Sequence, residues 1–253
     1  ITSIAGDQAP DVVAADNNML PKLIERDLLQ PLSGVERSDF SGAIWEAASS
    51  EGNLYGIPFR ADTSGVFYNK DMFDEAGVSY PEKGWTWDEF LETAKKLTDR
   101  ENNVYGFGIS GSPAAATDFE AEVLPLIWAH GGAVIRDGEV VLDEPEAIAG
   151  LQFWVDLVLE HKVSPEGAVN YDNKDYIEFF LSERVAIMMG GSNVIPMLNE
   201  KAEDINWDFV QIPGGTSKGF GVAYGIPVNA DHPEAAQEYM EWFTEPENLA
   251  KLT

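Results

Sequence analysis

The sequence predicts an α/β fold with a largely parallel sheet, and three observations carry that reading. Short Val/Ile-rich runs of strand length alternate with longer stretches that keep helical apolar spacing. The joints between them are short and marked by Gly or Pro, as at Pro31, Gly131-Gly132 and Gly190-Gly191. No internal repeat or low-complexity linker breaks the alternation, so a domain boundary has to be a crossover inside compact structure.

The first strand is Asp11-Val12-Val13-Ala14, followed by the polar patch Asp16-Asn17-Asn18. A buried strand that ends in a polar turn is how an α/β sheet delivers a loop to a binding site. Met19 to Leu29 reads as a helix closed by Gln30-Pro31-Leu32. Tyr55–Phe59 and Gly65–Asn69 read as two strand pieces flanking Arg60-Ala61-Asp62-Thr63-Ser64. Thr86 to Leu97 has the strongest helix signal: Thr86 as N-cap, Glu89 as its capping-box partner, and Phe90, Ala94 and Leu97 along one face. Val104–Ile109 is a strand, and Asp118 to His130 is a helix stopped by Gly131-Gly132. Val134 to Leu142 reads as a hairpin turning at Arg136-Asp137-Gly138-Glu139.

A further helix opens at Pro145 and runs to about Lys162, with Ile148, Leu151, Trp154, Val155 and Val158 on its apolar face. Lys174 to Ser182 is helical. Val185–Met189 is a buried strand that runs into Gly190-Gly191-Ser192-Asn193, and Asn206–Ile212 is another. Pro233 and Glu234 start a last helix through Phe243.

Composition narrows the chemistry. The chain has 253 residues with 16 Lys+Arg against 44 Asp+Glu, a formal charge of −28. A polyphosphate would be repelled without a concentrated basic patch, and the adjacent basic pair Lys95-Lys96 is flanked by Asp88, Glu89 and Glu92. No nucleic-acid partner is expected. Most of these carboxylates are expected on solvated helix faces. The absence of Cys rules out a disulfide scaffold, a thiolate zinc site and a Cys nucleophile. An apolar share of 44% argues against disorder. No apolar run approaches the ~18 residues that span a bilayer.

Catalytic patterns are absent. His130, His161 and His232 fall at helix ends without an HExxH partner. Gly190-Gly191-Ser192 follows a strand but lacks the second flanking glycine of a nucleophile elbow. Gly214-Gly215-Thr216-Ser217-Lys218-Gly219 lacks the order of a phosphate loop, and Asp172-Asn173-Lys174-Asp175 lacks the glycine and terminal Glu of a calcium loop. No cofactor or metal is expected. Aromatic residues beside carboxylates and amides suit sugars, whose C–H faces stack on rings while hydroxyls bond to Asp, Asn or Arg. On chemistry alone, Asp62 with Arg60 is the leading polar candidate.

Several segments in order resemble the family 1 extracellular solute-binding proteins, the sugar-binding subunits of ABC importers that include maltose-binding protein. They are Gly6-Asp7-Gln8-Ala9-Pro10-Asp11-Val12-Val13, Leu28-Leu29-Gln30-Pro31-Leu32, Tyr55-Gly56-Ile57-Pro58 and Phe67-Tyr68-Asn69-Lys70-Asp71-Met72-Phe73. Gly84-Trp85-Thr86-Trp87-Asp88-Glu89-Phe90, Phe179–Met188 and Gly221–Pro227 continue the series, which ends at Glu234-Ala235-Ala236.

The resemblance implies a two-lobed type II periplasmic-binding-protein fold, each lobe a mostly parallel sheet flanked by helices, closing on a carbohydrate. It implies lobe I from 1–62 with 222–253, lacking its N-terminal βα unit, and lobe II from 63–221. The chain then reads as a piece of a larger receptor. Asp62 falls where the family places a sugar-bonding acidic residue, and Asn17, Asn18 and Asp16 fall in the loop after the first-lobe strand. Asn193, beside Gly191, stands where maltose-binding protein stacks a tryptophan, so maltodextrin specificity is not expected. Glu120 lies near the second-lobe ligand helix with Phe119 and Glu122. Tyr224, Trp128 and Arg60 complete the candidates.

The expected function is non-enzymatic: a monomer delivers a small-molecule sugar to the permease subunits of an ABC transporter. Its expected location is periplasmic or extracellular, with the full-length protein membrane-anchored. The alternatives are a carbohydrate-active hydrolase with Asp62 as catalytic carboxylate, and a sensory or adhesive binding protein without transport.

Overall fold

The structure, a computed structural model, describes residues 4, 8–35, 42–113, 116–202 and 204–251. Gly6 and Asp7 of the first matching segment lie outside the described residues. In chain order the elements begin with β1 (Val13–Asp16), α1 (Leu20–Ile24), α2 (Gly42–Ala47), β2 (Ser49–Ser50), β3 (Asn53–Leu54) and β4 (Ile57–Asn69). Next come α3 (Lys70–Ala76), α4 (Trp87–Lys96), β5 (Tyr105–Gly108), α5 (Ala116–Ala129), β6 (Ile135–Arg136), β7 (Glu139–Val140) and α6 (Pro145–Leu159). The chain continues with α7 (Asn173–Leu181), β8 (Val185–Gly191), α8 (Val194–Lys201), β9 (Trp207–Gln211) and β10 (Gly219–Gly225). It closes with α9 (Pro233–Thr244) and α10 (Pro246–Leu249). Among the described residues no helix is long and apolar enough to cross a membrane.

The chain divides into two compact units, residues 1–62 with 219–253, and residues 63–218. In the first, β10 lies between β1 and the first half of β4. The β1–β10 pairing is antiparallel, from Val13 opposite Gly225 to Asp16 opposite Val222. Its core gathers Ala15, Leu20, Leu23, Leu29, Leu54, Ile57, Ala223, Ile226, Ala236 and Met240. Burial of these side chains is what holds two distant stretches of sequence together, since apolar area removed from water contributes ~25 cal/mol per Å². At the edge of this unit the Asp11 carboxylate accepts from the N–H of His232 at 2.7 Å. That hydrogen bond, with others from the same histidine, holds Asp11 below the usual carboxylate range.

In the second unit the order is β9-β4-β8-β5, with the second half of β4 between β8 and β9. Phe67 faces Met188 on one side and Phe209 on the other. The core packs Val66, Phe73, Trp85, Trp87, Phe90, Phe107, Leu126, Leu157 and Ile187 between sheet and helices. Helix α4 has the expected capping box, with Glu89 N donating to Thr86 Oγ1 and Thr86 N donating to Glu89 Oε2. The 135–140 hairpin turns at Asp137 and Gly138, both at positive φ (52° and 85°), as its two-residue turn requires.

Several expectations change. Strand direction is the main one: β1–β10, β4–β8 and β4–β9 are antiparallel, and β5–β8 is the parallel pair described. A short apolar run buried on both faces has the same composition in either direction, so helix–strand alternation does not set it. Of the two expected strand pieces, Ile57–Phe59 of the first and all of 65–69 belong to one strand, β4, while Tyr55 and Gly56 precede it. Residues 60–64 contain neither Gly nor Pro, the strongest breakers, and the extended strand runs through them. Helix α1 covers only Leu20–Ile24 of the expected 19–29, because Met19 supplies no side-chain cap and Asp27 sits at φ 53°. On α6 the buried residues are Ala147, Gly150 and Leu157, while Ile148 is half exposed. Gly150 lets α5 and α6 touch: a Cβ there would lie 2.6 Å from the Ile127 Cα.

Candidate ligand-binding site

The first unit holds a cavity of about 410 Å³ lined by Ala15, Asn17, Leu20, Ala47, Ala48, Pro58, Ala61, Asp62, Gly219, Gly221, Val222 and Ala223. Its position follows from the strands. β1 ends at Asp16, whose Oδ1 accepts from the N–H groups of Asn18 (2.9 Å) and Met19 (2.7 Å) and so folds the turn. Asn17 N donates to Gly221 O at 3.1 Å, which fixes its backbone against β10. Asn17 Oδ1 is buried without a hydrogen-bond partner. An unmet amide acceptor at a cavity wall costs ~1–3 kcal/mol, which a donor from a bound molecule would recover.

Asp62 stands at the other wall and forms an ion pair with Arg60. Arg60 is half exposed, whereas the Asp62 side chain is mostly covered. The two residues are two apart on a strand and therefore share a face. Alternate glycines at 219 and 221 leave part of the β10 wall bare: a Cβ at Gly221 would have Arg60 O, at 3.8 Å, as its nearest neighbour. The result is a mostly apolar hollow with an amide, a carboxylate and a guanidinium at its margin. That set bonds neutral hydroxyls as acceptors and donors. Asp62 is the one carboxylate among the described residues that line it, so the lining holds no acid/base pair of glycosidase type.

Of the sequence candidates in this unit, Asn17 and Asp62 line the cavity and Arg60 is paired to Asp62. Asp16 is occupied in the turn, and Asn18 is exposed beside it. Tyr224 leaves β10 elsewhere, stacked on Phe59 with centroids 4.0 Å apart and edge-on to Phe243 at 5.3 Å. Burial, then the neighbouring Tyr239, raises its phenol above the ordinary range. The small lining residues Ala47, Ala48, Pro58 and Ala61 were not anticipated. The signal that could have found this wall is the Gly-x-Gly at 219–221, which places two glycines on one face of a strand.

The second unit carries the remaining candidates. Gly191 ends β8 opposite Ser64, and Asn193 precedes α8 with no side-chain cap bond. A Cβ at Gly191 would lie 2.8 Å from Asn193 Oδ1, so the glycine makes room for that amide. Glu120 forms an ion pair with Lys218, whose side chain is only 11% exposed. Nearby in sequence, Thr63 and Ser217 share a hydroxyl–hydroxyl hydrogen bond. Spacing gives no sign of these two pairings, which join residues 98 and 154 apart in sequence. Glu122 is buried and accepts from Ser110 N and Trp154 Nε1, which ties α5 to the segment after β5. Trp128 lies about 12 Å further along the same helix than Glu120, at ~1.5 Å per residue, in a separate groove with Trp87 and Asp88. Among the described residues no group of three or more His, Asp or Glu could hold a metal ion.

Comparisons with known proteins bear on this geometry. A solute-binding protein from Thermotoga lettingae TMO, solved with bound α-D-tagatose, superposes with a TM-score of 0.85 at 27% identity, covering 99% of this chain and 67% of that one. The shared fold is the maltose-binding-protein-like, type II periplasmic-binding-protein fold. The maltotriose-binding protein of Pyrococcus abyssi is 28% identical over 268 residues, 99% of this chain and 54% of its own length. A Brucella abortus (strain 2308) protein is 24% identical over 265 residues, so this chain spans 62% of that relative's length. The family described as bacterial extracellular solute-binding protein matches residues 1–250, and the chain belongs to that family.

Proposed function

We propose that this chain is the solute-capturing part of an ABC importer's sugar-binding protein, and that the sugar is held without being transformed. The observation that carries the reading is the first-unit cavity. There the unpartnered Asn17 amide oxygen and the Asp62–Arg60 pair border a hollow of about 410 Å³. A monosaccharide or a short oligosaccharide end fits such a volume, with its C–H faces on the alanines and Pro58 and its hydroxyls toward Asn17 and Asp62. The relatives named for sugars support the class of ligand. The two compact units are proposed as the two lobes, with the boundary inside β4. We further propose that the protein works as a monomer outside the cytoplasm, anchored to the membrane in its full-length form, and hands its sugar to permease subunits.

Calorimetric titration with D-tagatose, maltotriose and D-mannitol tests the reading. At least one sugar should bind, and Asp62→Asn should weaken it by ten- to a hundredfold, the worth of one or two hydrogen bonds to a charged group. Absence of binding for every sugar tried, or an Asp62→Asn affinity equal to wild type, would overturn it. The hydrolase alternative predicts reducing ends accumulating from maltotriose; no such product is expected.

A further inference from the structure

The groove around Trp128 is built wholly from residues of the second unit, and nothing in the proposed sugar capture uses it. It has a volume of about 440 Å³ and is formed where three segments meet. The start of α4 contributes Trp87 and Asp88, the end of α5 contributes Trp128 and His130, and the turn after β9 contributes Pro213 and Gly214.

We infer that this groove is a second carbohydrate-binding site, taking one neutral mono- or disaccharide. Four features converge on that class. Trp128 is only partly buried and offers a flat apolar ring. Trp87 is 93% covered (7% exposed), yet its indole N–H has no hydrogen-bond partner. Its neighbour Trp85, by contrast, donates to Gln211 O at 2.7 Å. The space before the Trp87 nitrogen is kept open by Gly214 at φ 76°: a Cβ there would have Trp87 Nε1, 3.8 Å away, as its nearest neighbour. Asp88 is exposed at the groove and supplies a carboxylate acceptor.

A ring to stack on, an unpaired N–H donor and a carboxylate acceptor together match the alternating C–H faces and hydroxyls of a sugar. An anion would meet Asp88 and the overall charge of −28. A cation would find a single free carboxylate, since Glu89 is engaged in the capping box.

The test is NMR of the tryptophan indole protons of the full chain, with Trp87 assigned through Trp87→Phe, titrated with D-glucose, D-mannitol and maltotriose. The Trp87 indole proton should shift at millimolar sugar in the wild type and equally in Asp62→Ala, which separates this site from the first-unit cavity. Trp128→Ala should weaken the response about tenfold, the loss of one stacking contact. If that variant fails to give a dispersed spectrum, the exposed Asp88→Ala serves in its place with the same expected direction. A Trp87 proton unmoved by all three sugars, or moved equally in the groove variants, overturns the inference. Calorimetric binding that is unchanged in Asp62→Asn, with the Trp87 shift intact, would sink the proposed function alone.

Discussion

Asn17 and Gly221 are joined by a backbone hydrogen bond of 3.1 Å just beyond the last β1–β10 pair, Asp16 opposite Val222. The amide side chain of Asn17 thus leaves from a main chain clamped to the neighbouring strand, and its orphaned oxygen is pre-placed rather than searched for. Removing that oxygen with Asn17→Ala should weaken sugar binding about tenfold and leave stability unchanged or slightly raised, because an unmet buried acceptor disappears. Gly221→Val should abolish binding by filling the hollow while the protein still melts cooperatively, since space for a first carbon exists there. Calorimetry paired with thermal melts separates the two effects.

Gly150 makes a tight packing demand at the α5–α6 contact. A methyl at that position would meet the Ile127 backbone at 2.6–2.7 Å, and backbone gives less readily than a flexible side chain. Gly150→Ala should cost about 1–3 kcal/mol, despite the better helix propensity of alanine. Gly219→Ala, where a Cβ would meet nothing within 4 Å, should be nearly neutral. Urea midpoints for the two variants check this; equal midpoints would refute the close helix approach.

Alkaline pH should unfold the second unit through its buried tyrosines. Burial first, then the Asp208 carboxylate, pushes the Tyr68 phenol up to about 12. Burial also raises Tyr176. In the unfolded chain both titrate near ~10. The folded state therefore holds protons that the unfolded state has released. The stabilising contribution is complete below pH ~10 and is lost as pH rises through the folded value. Denaturant midpoints should fall above pH ~10, and Tyr68→Phe should flatten that fall. A slope unchanged in Tyr68→Phe would remove Tyr68 as its source.

What could be read from the sequence divides along physical lines. Local chemistry was legible: the Thr86–Glu89 capping box and the Asp137-Gly138 turn depend on neighbours within a few residues. A second capping box, Asp172 with Asp175, escaped because the same carboxylates were tested only as a calcium loop. Strand direction was not legible, since it depends on which distant run lies alongside. The site was legible in part for the same reason. Asp62 and Arg60 stand out by type and spacing, but the Asn17 oxygen is orphaned only because of where β10 passes. Trp128 was grouped with ligand residues by its aromaticity, and only the meeting of α4, α5 and the 213–216 turn gives it separate surroundings.

The cavity wall is sewn from two stretches far apart in sequence: β1 ends at Asp16, while its partner β10 begins at Gly219. During synthesis, residues 63–218 emerge as an uninterrupted stretch that can gather its core while the first unit still lacks a strand. Closing so large a loop is entropically slow, so the β1–β10 pairing waits until Gly225 has been synthesised. Until then the edge of Val13–Asp16 that β10 will occupy is open to other strands. The order of events places completion of this cavity wall after the second unit has all the residues of its core.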